Sequence, residues 1–131
     1  MNLTKEDFGT LAESELEKLP KYFRRRIENV TIVVEDFPSD DDIRRMKCDK
    51  YSLLGLYQGV PLTRRDTSYG MYPVSPDQII LFQKNIEAQC RTLEELKVRI
   101  NEVLFHEIGH YFGMNEKQIR EAMKKLGCNP Y

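Results

Sequence analysis

Between Thr92 and Gly113 the chain commits itself to one long helix. Leu93, Leu96, Ile100, Val103 and Leu104 form an apolar stripe at helical spacing and lead without a break into His106-Glu107-Ile108-Gly109-His110. Thr92 with Glu95 reads as a capping box at its start, and Gly113 as a left-handed stop at its end. The stripe must face a core, so the chain has to supply elements that cover it. Both histidines of the sequence lie in this one helix, four residues apart and therefore on one face.

The remaining elements are shorter. Phe8, Leu11, Leu16 and Leu19 fall at roughly helical spacing over Thr4 to Lys18, and Pro20 breaks or restarts that helix before Tyr22, Phe23 and Ile27. The β-branched run Val30-Thr31-Ile32-Val33-Val34 is the strongest strand signal and stops at Asp36-Phe37-Pro38. Ser39 is an N-cap for a short helix from Asp40 to Lys47, which accounts for the acidic run Asp40-Asp41-Asp42 without a cation site. Leu53 to Tyr57 and Gln78 to Phe82 read as two further strands. Between them, residues 63 to 76 form a loop long enough to suggest a function. Asn115 with Gln118 opens a last helix ending near Gly127.

With 131 residues the chain is expected to form one domain, residues 1–131. A net charge of −1 gives no general attraction to nucleic acid, and Arg24-Arg25-Arg26 reads as a solvated helix face. No apolar run approaches a membrane span. The charged N-terminus lacks the apolar core of a signal peptide, so a cytoplasmic location is expected. Cys48, Cys90 and Cys128 are odd in number and widely spaced, as suits reduced thiols. The Cys128 tail lacks the aliphatic residues of a prenylation box.

The chemistry concentrates at residues 106 to 116. Two imidazoles on one helical face can share a zinc ion, but a catalytic site needs a third protein ligand and an open position. Gly113 lets the chain leave the helix, and Glu116 can return beneath the metal as that ligand; Glu121 is the competing candidate. Glu107 then stands beside the metal as general base for water attacking a carbonyl, and later returns the proton to the departing amine. Tyr69, Tyr72, Arg64 and Arg65 of the long loop are candidate oxyanion donors, with no choice among them. Tyr111 and Phe112 are read as core or pocket lining, and the cysteines as structural.

The segment HEIGHYFGMNE, residues 106 to 116, resembles the HExxHxxGxx(D/E) motif of the small prokaryotic zincin-like metallopeptidases, or minimal zincins. The likeness extends upstream through the strand ending near Glu35-Asp36, Leu53-Leu54-Gly55-Leu56-Tyr57 with Gly59-Val60-Pro61-Leu62, and Ile79 to Phe82. It implies a compact α+β domain in which a small mixed sheet packs against the active-site helix, with additional N- and C-terminal helices. It also implies zinc held by His106, His110 and Glu116, with Glu107 as general base. That third position is commonly aspartate, which is one methylene shorter. The third histidine of the metzincins is missing. The resemblance implies hydrolysis of a peptide or protein, which could lie along a sheet edge by strand addition. A metal-stabilised binding or regulatory module without useful turnover is the alternative. Cleavage of RNA is disfavoured by the charge balance and by the lack of an RNA-binding motif. No membrane partner is expected, and the oligomeric state is left open.

Overall fold

The computed structural model describes residues 2–21, 30–59 and 77–125. Their elements, in chain order, are α1 (Lys5–Glu17), β1 (Val30–Glu35), α2 (Asp40–Met46), β2 (Gly55–Gln58), β3 (Asp77–Phe82), α3 (Gln83–Glu87), α4 (Leu93–Tyr111) and α5 (Glu116–Lys125). The three strands form one mixed sheet in the order β1-β3-β2. β3 is central, parallel to β1 with Ile32 opposite Ile79, and antiparallel to β2 with Tyr57 opposite Ile79. The α+β class expected from the sequence, a small mixed sheet packed on a long helix, is the class observed.

Alternation along β3 divides the buried residues into two groups. Ile79 and Leu81 join the main core with Phe8 and Ala12 of α1 and with Leu96, Ile100, Val103, Leu104 and Ile108 of α4. Ile80 and Phe82 pack with Leu56 on the opposite face. Each fully buried aliphatic side chain of α4 contributes on the order of 2 kcal/mol by leaving water, and this is what holds the helix to the sheet. Leu93 departs from the stripe read in the sequence: at the first helical position it is 42% exposed, while Phe105 and Ile108 further along are buried.

The helix ends follow local chemistry. Ser39 and Asp42 form a complete capping box: the Ser39 hydroxyl accepts from the Asp42 N–H at 3.1 Å, and the Asp42 carboxylate accepts from the Ser39 N–H at 3.2 Å. Thr92 caps α4 through the Glu95 N–H, but the expected box is only half made. The Glu95 carboxylate accepts instead from the N–H of Arg91, one residue further out, at 2.6 Å. At the other end Gly113 adopts φ 77°. Its N–H reaches His110 O while that of Met114 reaches Gly109 O, the paired bonds of a Schellman stop. Asn115 and Gln118 then exchange two 2.8 Å bonds and start α5.

Two elements differ from the sequence reading. β2 begins at Gly55 rather than Leu53, and Leu54 uses its carbonyl to accept from Phe82 N–H. α3 is unanticipated. It has no side-chain cap, and its polar residues bond to distant backbone: Asn85 donates to Lys50 O and Leu53 O, both at 2.8 Å, and Gln83 to Leu3 O at 2.7 Å. The expected helix restart at Tyr22 to Ile27, Arg24 to Arg26, the loop at 63 to 76 and Cys128 lie outside the described residues. Among the described residues Cys48 and Cys90 are free thiols, and burial pushes the Cys90 thiol upward in pKa. No described helix is long and apolar enough to cross a membrane.

Candidate active site

Three elements meet at the histidines. α4 carries His106, Glu107 and His110, α5 begins with Glu116, and β2 passes beside α4 at Gly55. The histidine rings stand 4.6 Å apart between centroids and nearly perpendicular, at 87°. Donor atoms of His106, Glu107 and His110 all lie within 4.8 Å of one another.

The two carboxylates occupy different places. Glu116 faces the Nε2 atoms of both histidines: its oxygens are 2.7 and 2.8 Å from His106 Nε2, and one is 3.3 Å from His110 Nε2. Glu107 has one oxygen on His106 Nδ1 at 2.9 Å and accepts from the backbone N–H of Tyr57 with the other, at 3.0 Å. Glu107 falls within the same group as the histidines, with one oxygen meeting His106 Nδ1 and the other accepting from the Tyr57 N–H. Glu116 is the carboxylate shared by the two Nε2 atoms. Glu121 is exposed, five residues further along α5.

These contacts move the proton affinities. The Glu107 hydrogen bond is the main influence holding His106 above its ordinary pKa; burial opposes it, and Glu116 adds to it. For Glu116 burial works upward but is outweighed by the His106 hydrogen bond and the two histidine charges, so its carboxyl is held below the ordinary value. His106 thus stands between two carboxylates, Glu107 at Nδ1 and Glu116 at Nε2.

The donor set fits a divalent metal ion. Ligands about 2.0–2.1 Å from a tetrahedral metal lie roughly 3.3 Å from each other. The His110–Glu116 separation matches that value, and the His106–Glu116 contact is tighter, at a direct hydrogen-bond distance. His106, His110 and Glu116 could therefore hold a metal with a small relaxation of one carboxylate. His106 Nδ1 already has the carboxylate partner that commonly fixes the tautomer of a ligating imidazole.

Two glycines let the parts approach. A Cβ on Gly55 would fall 2.7 Å from Val103 Cγ1 and 3.5 Å from Glu107 Cγ, so only glycine lets β2 lie close enough for Tyr57 N–H to reach Glu107. A Cβ on Gly109 would lie 2.6 Å from Ile119 Cγ1, so α5 seats directly against the helix backbone there. The sequence reading missed both contacts. An isolated glycine inside the apolar run at 53 to 57 is the available signal for the first, since it marks a close backbone approach. Tyr111 is buried and Phe112 packs on the core, as expected of lining residues, and the Tyr111 ring stands 5.2 Å from that of Tyr57. Tyr57 donates its hydroxyl proton to Asp77 at the start of β3. Tyr69, Tyr72, Arg64 and Arg65 lie outside the described residues.

A family model for zincin-like metallopeptidases matches residues 27–125, and the chain belongs to that family. Membership implies a divalent metal, and the His106-Glu107-His110 group is where the described residues could place one. A comparison with individually curated proteins yields no match.

Proposed function

We propose that the protein is a zinc-dependent peptidase in which His106, His110 and Glu116 hold the metal and Glu107 is the general base. The observation that carries this reading is the division of labour between the two carboxylates. Glu116 sits between the Nε2 atoms, whereas Glu107 is buried against the edge strand and held by Tyr57 N–H. Two imidazoles and a carboxylate are a donor set suited to zinc, and three protein ligands leave a position for substrate and water. When bound, zinc supplies the Lewis acidity that makes water a competent nucleophile near neutral pH and polarises the peptide carbonyl.

The chain's own residues then handle protons and orientation. Glu107 receives the proton of the attacking water and passes it to the amine that leaves as the C–N bond breaks. Tyr57 N–H fixes the carboxylate in place for both transfers. The substrate is a peptide or protein, and β2, at an edge of the described sheet, lies on the site's side of the fold. The free thiols Cys48 and Cys90 support a cytoplasmic setting. A binding module that merely used the metal for stability would have no need of a carboxylate held beside it.

Comparison of the natural protein with Glu107→Gln tests the reading. Both should bind one zinc, while cleavage of a broad peptide library should fall by at least about a hundredfold in the variant. His106→Ala should lose the metal. A natural protein that binds zinc stoichiometrically and cuts nothing in the library would overturn the peptidase reading in favour of the binding module.

A further inference from the structure

A cavity of about 440 Å³ is lined by His106 and Glu107 together with Ser52, Gly55, Gln89 and Arg99. A second, of about 590 Å³, follows the N-terminal half of α4 and shares Gln89 and Arg99 with the first. Gln89 and Arg99 line both, so the two cavities adjoin and together form a groove along α4, whose second part is also lined by Arg91, Glu94, Glu95 and Glu102. Among the described residues lining the first cavity, Arg99 is the one lysine or arginine.

Arg99 is also held in a particular way. Its Nη1 donates to the Glu102 carboxylate at 3.1 Å; the Glu102 side chain is 7% exposed and that of Arg99 28%. An exposed pair three residues apart would read as ordinary helix-surface chemistry worth little. Here the carboxylate is buried, and its burial raises its pKa despite the nearby Arg99 charge. A buried carboxylate paired with one arginine is a poor source of stability, and orientation of a specific group is one use for such a pair. Glu102 thus holds one donor of a guanidinium that lines both cavities.

We propose that Arg99 is a specificity-determining residue that receives a carboxylate of the bound peptide, two or three residues from the bond that is cut. The inference rests on the peptidase reading of the same groove. Seven residues of helix separate Arg99 from His106, about 10 Å along the axis. An extended peptide covers that distance in about three residues, and the arginine side chain shortens it. The planar guanidinium fork matches a carboxylate better than an ammonium does. The carboxylate comes either from an aspartate or glutamate side chain or from the peptide's own C-terminus.

Binding tests this without turnover. Zinc-loaded Glu107→Gln protein is equilibrated with a mixed peptide library made in acid and amide versions, Asp/Glu against Asn/Gln and free against amidated C-termini, and the bound fraction is sequenced. Carboxylate-bearing peptides should be enriched about tenfold or more. Whether side-chain or terminal carboxylates are enriched identifies the source. Adding Arg99→Gln should erase the enrichment, Arg99→Lys should keep part of it, and Arg99→Glu should shift it toward Lys and Arg. Equal binding of acid and amide peptides by the parent overturns the proposal without needing any Arg99 variant, as does enrichment that survives Arg99→Gln. Cleavage by the natural protein decides the peptidase reading separately.

Discussion

Gly109 governs how closely Glu116 approaches the histidines. The residue stands between Glu107 and His110, and its missing side chain is the space that Ile119 of α5 fills. In Gly109→Ala the helix gains about 1 kcal/mol of intrinsic propensity. The new methyl, however, overlaps a fully buried isoleucine whose neighbours leave it nowhere to go, and overpacking of this kind costs about 1–3 kcal/mol. The clash should win. The variant should be less stable in denaturant and bind zinc at least tenfold more weakly, because α5 moves out and takes Glu116 with it. Ile119→Ala removes the clashing atom, so the double variant should regain much of the lost zinc affinity. Additive losses in that cycle would show that Gly109 and Ile119 do not act through one contact.

Capping chemistry decides which elements can be read from local sequence. In α2 the Ser39–Asp42 box is complete, so Ser39→Ala should cost about 1 kcal/mol by chemical denaturation. Asp42 makes that contribution depend on pH. Burial alone raises its carboxyl, but the Arg45 hydrogen bond and the Ser39 N–H and hydroxyl outweigh it, so Asp42 ionises below its ordinary value of 3.8. A depressed acid stabilises the fold above its unfolded pKa and loses that stabilisation as pH falls through the folded value. Asp42→Asn should therefore be less stable than the natural protein at about pH 6, with the gap closing as pH falls below 3.8; a gap unchanged with pH would contradict the assignment. The same local signals make α4 and α5 legible: the Thr92 cap, the stop at Gly113 and the Asn115–Gln118 pair each use neighbours in sequence. α3 is not legible, because Gln83 and Asn85 find their partners at Leu3, Lys50 and Leu53. The start of β2 is misread for a related reason, since Leu53 and Leu54 are apolar but bond outside the regular ladder.

At the scale of the whole molecule, the histidine pair was legible because it repeats within one helical turn, and Glu116 because a glycine stop and a cap place it. The bond from Tyr57 N–H to Glu107 joins residues fifty apart, and the placement of Arg99 on the groove depends on how α3 and the segment before β2 pack around α4; no local pattern encodes either. The proposed metal also has a structural consequence at this scale. The ligands proposed for it come from α4, which carries the main core stripe, and from α5, which packs on α4, so the ion would cross-link the C-terminal helix to the core. An ion that binds only the folded state stabilises it by about 2.7 kcal/mol when free metal is a hundred times its Kd. For a chain of this size that is on the order of 10 °C in Tm. Chelation should therefore lower the melting temperature by about that much, zinc should restore it, and Glu116→Gln or His110→Ala should melt at a temperature that responds weakly to either treatment. A chelator-insensitive Tm in the natural protein, with zinc binding verified in the same sample, would mean that α5 is not tied to α4 through the metal and that Glu116 is not a ligand.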